Sequence, residues 1–370
     1  MSLKISRWKP LAILASLELT VIGLFLMSLL VIGGTILQSE KGIYAAQQEI
    51  FQSWIFWLFG VLPLPGMLLA GALLFVNLLG AVFFRLKIKW SGLGLLLVHL
   101  GLLVLLGGGF ISFQYGREYS ITLNEGESAQ MADAAHDWEL AVWTEAGGKR
   151  QVQAVDIAAL RAGRAWTLPG LDLELTIGAI FPNCRPAAAA APGEMVLSEA
   201  PPAADPADNV PGIILDPHGL PGDQRRLTLF AGNDAPVVRS TLQRDVYFKL
   251  RLKRVLLPLR LTLLDFEKTV YPGTEIPKSF SSRVTVESSG LRREALIAMN
   301  RPLRFRGYTF YQSSYTEGGP HGASSTFAVV KNVGRWLPYI SSVLVFIGLA
   351  LHFIAQLAAV LVKSRSGVGS

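Results

Sequence analysis

Four long apolar runs, at about residues 11–36, 55–84, 92–113 and 337–362, stand out from a chain that otherwise mixes apolar and polar positions. Each exceeds the roughly 20 helical residues that cross a hydrocarbon core of about 30 Å, so four membrane-spanning helices are predicted. The second run contains Pro63 and Pro65 in LPLPG. Proline should kink it, or split off a short interfacial piece ahead of a span starting near residue 66. The first run follows the basic start MSLKISRWKP and has no A-x-A-like exit, which reads as a retained anchor and not as a signal peptide.

Between the third and fourth runs the period changes. WELAVW (138–143) and LDLELTI (171–177) alternate apolar with polar residues, as half-buried strands do. YFKLRLKRVLLPLRLTLLDF (247–266) does so over a longer stretch, with Pro258 marking an edge or a break. RVTVE (283–287) and GYTFYQSSY (307–315) continue the pattern, and no amphipathic helix of useful length is evident. Residues 185–212, RPAAAAAPGEMVLSEAPPAADPADNVPG, are rich in Ala and Pro and read as a mobile insertion.

Composition agrees with a mixed architecture. The 370 residues are 51% hydrophobic, too apolar for a soluble protein and too mixed for a bundle of spans alone. The net charge of +7 is not spread evenly. Residues 114–336 carry nearly equal numbers of bases and acids, and the excess lies beside the apolar runs: Lys4, Arg7, Lys9, Arg85, Lys87, Lys89, Lys363 and Arg365. This is the signature of topology and gives no reason to expect a nucleic-acid partner. All three clusters share one side only if both termini are cytoplasmic, which puts 37–54 and 114–336 outside. The expected fold is therefore an integral membrane protein with four transmembrane helices and a large extracytoplasmic all-β, sandwich-like domain. Its parts are 1–113 with three spans, 114–336 with the insertion, and 337–370 with the last span and a cytoplasmic tail.

Candidate chemistry is sparse. The single Cys184 cannot form an internal disulfide, and there is no CxxC or CxxCH. His136, His218 and His321 lack metal-ligand spacing and read as solvated. His99, in LGLLLVHLGLLVLLGGGF (93–110), is different, because an imidazole within a span costs free energy unless something bonds to it. A backbone carbonyl or a polar neighbour would satisfy it; so would a metal, and neutral imidazole is a good axial ligand for haem iron. His352, in GLALHFIAQ, is the second imidazole within a span. Counted from the cytoplasmic ends at 1.5 Å per residue, His99 lies about 10 Å deep and His352 about 15 Å, so both could face one pocket. Trp54 and Trp57, and Trp336 and Tyr339, suit the outer membrane interface. Lys249, Arg251, Lys253, Arg254 and Arg260 read as a solvated strand edge.

Several separated stretches resemble the ResB (CcsB-type) cytochrome c biogenesis proteins. LASLELTVIGLFLMSLLVIGGTILQ (14–38) looks like the family's opening span with its G-T-x-x-x-Q end. FQSWIFWLFG, FVNLLGAVFFRL and LVHLGLLVLLGGGFI follow. The most specific are DFEKTVYPGTEIPKSFSSRVTVES (265–288) and MNRPLRFRGYTFYQSSY (299–315). Glu18 departs from the pattern, standing where relatives often place a basic residue.

The resemblance implies a subunit of a haem-export and cytochrome c synthase complex in the cell membrane, acting with a ResC/CcsA-type membrane protein. Its cargo would be haem b, held in transit and presented to apocytochrome c outside, where thioether bonds form at a CxxCH sequence. The chain would be a non-autonomous part of the synthase, with no catalytic acid, base or nucleophile of its own. His99 matches the position of the family's haem-binding histidine in the third span and would ligate the iron. The second ligand would be His352 or a histidine of the partner; in the latter case His352 lines the cytoplasmic half of the site. The alternative is a structural chaperone that docks apocytochrome or the partner without touching haem.

Overall fold

The computed structural model describes residues 9–366 apart from 59, 87–88, 172, 189–194, 204, 206–207, 220–225, 241–243 and 320–321. The chain divides into two compact units, Met1–Arg117 with Asn332–Ser370, and Glu118–Lys331.

The first unit is helical. A short α1 (Lys9–Leu14) precedes α2 (Leu17–Lys41), α3 (Ile43–Ala46), α4 (Met67–Gly80, continued by a wide turn to Arg85), α5 (Leu93–Tyr115) and α6 (Leu337–Ser366). Four of these are long and apolar enough to cross a bilayer: Leu17–Lys41, Met67–Arg85, Leu93–Tyr115 and Leu337–Leu361. The first span starts later than the apolar run does, for a reason outside its own sequence. Ser16 caps α2, its Oγ accepting from the Leu19 N–H at 3.1 Å. Asn77, buried on α4, donates to the carbonyls of Leu14 and Ser16 at 2.8 Å each, and Arg85 donates to that of Ala15 at 2.9 Å. These bonds satisfy carbonyls that a continuous helix would have used, so the break between α1 and α2 is stable. The second span likewise starts at Met67, because β1 (Ile55–Leu58) pairs antiparallel with β2 (Leu62–Pro65) ahead of it.

The second unit is all β, as expected, and its strands pair antiparallel. Its strands are β3 (Arg117–Asn124), β4 (Ser128–Ala146), β5 (Lys149–Asp156), β6 (Ala165–Leu168), β7 (Leu173–Phe181), β8 (Cys184–Ala188), β9 (Met195–Glu199), β10 (Gly212–His218), β11 (Leu227–Phe230), β12 (Val237–Ser240), β13 (Asp245–Val270), β14 (Pro277–Ser288), β15 (Leu291–Ala298), β16 (Leu303–Phe305), β17 (Tyr308–Gly319) and β18 (Gly322–Lys331). A ten-stranded sheet runs β15-β14-β13-β4-β3-β18-β17-β16, with β5 on β4 and β12 on β13. A four-stranded sheet runs β11-β10-β7-β6.

Two cores follow from these sheets. In the first, Leu123, Leu261, Leu263, Val284, Val286, Ile297, Phe310, Phe327 and Val329 meet, drawn from strands along most of the large sheet. That sheet therefore curls around its own apolar face, and an Ala298–Arg301 bridge ties β15 to the approach of β16. In the second core, Leu140 and Val142 of β4 with Val246, Phe248 and Leu250 of β13 pack on Leu175, Ile177, Ile213, Leu215, Leu227 and Leu229 of the small sheet, as in a sandwich. The long strands β4 and β13 serve both cores.

Pro258 lies inside β13, where the register with β4 jumps between Leu256 and Leu261, so its missing N–H costs no ladder bond there. The stretch 185–212, expected as a mobile insertion, contributes the β8–β9 hairpin and the start of β10. The basic run on β13, expected as a solvated edge, is engaged in ion pairs. Along the run β13 pairs with β4, its other side being taken by β12 only as far as Phe248 and by β14 only from Arg260, and Arg251, Lys253 and Arg254 meet Glu139, Asp156 and Asp133 at 2.8, 2.8 and 3.3 Å. The alternation of the strand is real, but its outward bases face acids on the neighbouring strands.

Candidate functional site

The two imidazoles within spans lie on α5 and α6, which pack against each other through glycine. Gly94, Gly101 and Gly108 are the buried residues of α5, seven apart, and seven residues bring a helix back to nearly the same face. A Cβ on Gly94 would stand 2.5 Å from the His352 nitrogen, one on Gly101 3.1 Å from the Ser341 carbonyl oxygen, and one on Gly108 2.6 Å from Leu337 Cβ. From α6, a Cβ on Gly348 would stand 2.7 Å from the Gly94 oxygen. The helices are thus antiparallel and in near backbone contact, which only small residues allow. Ser341, buried in the seam, donates to the Gly101 carbonyl at 2.8 Å.

His352 lies on this seam, beside Gly94. Its Nε2 is 3.2 Å from the Gln356 side chain one turn on, and its ring meets Phe353 edge-on with centroids 5.8 Å apart. His99 is five residues beyond Gly94, about 140° around α5 and about 7 Å along its axis at 3.6 residues and 5.4 Å per turn. It therefore leaves α5 on another side, and the two imidazoles do not share the seam. The Nδ1 of His99 is 2.8 Å from the Leu95 carbonyl oxygen, one turn back on its own helix. A carbonyl only accepts, so Nδ1 is the donor here, and in the neutral imidazole Nε2 then keeps its lone pair. Both rings are partly buried.

The other candidates are dispersed. His218 Nε2 bonds Thr176 Oγ1 at 2.9 Å on the small sheet, and His136 lies on β4. His321 falls outside the described residues. Among the described residues no three of His, Cys, Asp and Glu cluster as metal ligands. Cys184 is buried under Gly212 with Sγ 3.5 Å from the Val210 carbonyl, and burial pushes its thiol pKa up. Glu18 opens the first turn of α2 and, with Arg85 and Ser16, lines a cavity of about 240 Å³. Trp336 and Tyr339 start α6 as an exposed aromatic pair, while Trp54 and Trp57 belong to the hairpin ahead of the second span.

The distinctive stretches 265–288 and 299–315 come together in the curled sheet. Phe266 of β13 and Phe280 of β14 lie 5.1 and 5.4 Å from the ring of Tyr315 on β17. Lys268 sits over the same ring and pairs with Glu317 at 2.7 Å, which raises its pKa. Inside, Ser282 Oγ lies 2.7 Å from Gln312 Oε1 and 2.8 Å from Ser325 Oγ, and Gln312 Nε2 donates to Ser325 at 2.7 Å. Ser282 and Ser325 are fully buried. The motif residues are spent on joining β14, β17 and β18. The glycine seam is the feature that sequence reasoning missed; its signal was Gly at every seventh position of α5, with Gly348 opposite.

Comparison with known proteins places these features. Residues 217–326, from the end of β10 into β18, match the model of the ResB-like family. A stretch of 97 residues is 33% identical to Protein NrfI of Wolinella succinogenes, covering 25% of this chain and 10% of that protein. The chain thus spans about a tenth of that relative. The matched segment is the one that holds the Tyr315 cluster and the Ser282–Gln312–Ser325 network, so this chain joins a segment similar to the ResB-like family to four membrane-length helices.

Proposed function

We propose that the protein serves cytochrome c biogenesis, as the haem-holding subunit of a membrane complex that carries haem b outward and presents it to apocytochrome c. Its partner in this reading is a ResC/CcsA-type membrane protein. The chain lies in the cytoplasmic membrane with both termini inside and the β domain outside, since the basic clusters around Lys4, Arg85 and Lys363 then share the inner face.

The observation that carries the reading is the state of His99, an imidazole on a membrane-length helix with Nδ1 held by the Leu95 carbonyl and Nε2 left for a ligand. An imidazole oriented this way by its own backbone is suited to haem iron. When bound, haem supplies the vinyl groups that become thioethers. The chain's part is to hold the iron through His99, to fix the orientation of the ring, and to keep it near its acceptor, a contribution of proximity. His99 points away from the α5–α6 seam, so the second axial ligand comes from the partner and His352 lines the seam.

Membranes containing the chain with a ResC/CcsA-type partner should show a bis-imidazole haem spectrum. His99→Ala should weaken it, added imidazole should restore it, and His352→Ala should leave it intact. An unaltered spectrum in His99→Ala together with lost cytochrome maturation would overturn haem holding and favour a docking chaperone.

A further inference from the structure

The β1–β2 hairpin is apolar on both faces. Ile55 and Trp57 of β1 are more than half exposed, as are Trp54, Val61 and Leu62, while Phe56 turns inward to the cluster of Leu30, Ile50 and Ala70. The register pairs Ile55 with Pro65, Phe56 with Leu64, Trp57 with Pro63 and Leu58 with Leu62. Antiparallel pairs exchange hydrogen bonds only at alternate positions, and proline has no N–H to give. The bonded pairs are therefore Phe56–Leu64 and Leu58–Leu62. At Ile55 the N–H and C=O, and at Trp57 the N–H, point away from β2, while the Trp57 carbonyl accepts from the Gly60 N–H at 3.3 Å. The outer edge of β2 offers carbonyls alone at Pro63 and Pro65.

Two environments are excluded by these facts. Hydrocarbon cannot hold an open strand edge, because its outward polar groups go without partners. Water would meet a contiguous apolar surface that includes two indoles. The headgroup–acyl boundary satisfies both needs, and the chain holds the hairpin at that level. The second span starts at Met67, two residues after β2, and its 19 residues cover about 28 Å, close to a hydrocarbon core. The hairpin is clamped to it: the Gly66 N–H donates to the Trp54 carbonyl at 2.9 Å and that of Leu68 to the Ser53 carbonyl at 3.2 Å. Gly66 has no room for a side chain, since a Cβ there would overlap the Ser53 carbonyl. On the other flank, Lys41 ends α2 and pairs with Glu49 at 3.1 Å, which marks the wet side.

We infer that Trp54 with β1 and β2 forms an interfacial anchor that lies in the lipid headgroup–acyl boundary, with the outer edge of β1 toward headgroups and water and the indoles of Trp54 and Trp57 in the interface. It fixes the depth of the α2–α4 pair independently of any partner protein.

Spin labels test this on the full chain in phospholipid nanodiscs. In a Cys184→Ser background, Ile55→Cys, Trp57→Cys and Val61→Cys are labelled one at a time. Phe346→Cys, exposed on the last span, and Lys149→Cys, exposed at the β4–β5 turn, give the deep and aqueous references. Collision with oxygen against a water-soluble nickel chelate should place the three hairpin labels within about 10 Å of the phosphate plane. Nickel accessibility equal to the Lys149→Cys reference would overturn the proposal, as would a depth equal to Phe346→Cys. Shielding from both reagents with a broadened spectrum would also overturn it, because another protein surface would then cover the hairpin.

Discussion

A Cβ on Gly94 of α5 would stand 2.5 Å from the backbone nitrogen of His352 on α6, so the two spans touch backbone to backbone at the level of this histidine. His352 is thereby tied to the helix pair itself, while His99, one and a half turns further along α5, is not. The membrane unit thus carries one histidine on the α5–α6 seam and one, likewise partly buried, on another side of α5.

The seam predicts its own sensitivity. Gly94→Val puts atoms where the His352 backbone stands, and backbone cannot yield as a flexible side chain can. A loss of about 1–3 kcal/mol is expected, as for overpacked cores. Gly109→Ala, with nothing within 4 Å of its Cβ, should be neutral. Thermal unfolding of the purified protein in detergent compares the two, and equal melting would contradict the seam.

The Arg251–Glu139 pair bridges β13 and β4 at 2.8 Å with side chains only 15% and 7% exposed. Removing one partner strands a charge. Glu139→Ala should therefore destabilise by about 3–5 kcal/mol, and Glu139→Gln/Arg251→Met should recover much of that loss. Denaturant unfolding of the single and double variants measures the coupling. Additive losses would mean that the pair is screened by water.

Ser282, Gln312 and Ser325 close a buried network with three short bonds. Ser282→Ala removes two of them and leaves Gln312 Oε1 without its donor, at a cost of about 1–3 kcal/mol. Ser325→Ala should cost a similar amount, and the double variant less than the sum, because the members share partners. A double-mutant cycle on thermal stability decides it.

Cys184 makes a statement about pH. Burial raises its thiol pKa above that of the unfolded chain, which is about 8.5. Its contribution to stability is complete below that value and declines as pH rises through it, because the unfolded state then releases the proton first. Iodoacetamide should label Cys184 at pH 8.5 far more slowly in the folded protein than in urea. Equal rates would show that the thiol is open.

Much of this was legible in the chain. Span lengths follow from hydropathy because a bilayer demands about 20 apolar residues whatever surrounds them. Alternation at 138–143 and 247–266 found β4 and β13, because a strand with one buried face must alternate. The stretches 265–288 and 299–315 announced the family segment, though not that their serines and Gln312 would bond one another.

Where sequence reading stopped, a distant residue made the decision. By itself the sequence determined four membrane helices, an all-β domain and an imidazole within a span, since each rests on local composition and period. Tertiary structure alone decided where the first span begins, because Asn77 and Arg85 supply donors from 60 to 70 residues away. It decided that the basic face of β13 is paired with acids, since strand order is absent from any one strand. It decided, too, which way His99 looks. α5 is apolar all round, and its sides are distinguished only by packing, against α6 through Gly94, Gly101 and Gly108 and against Phe75 of α4 at Gly107.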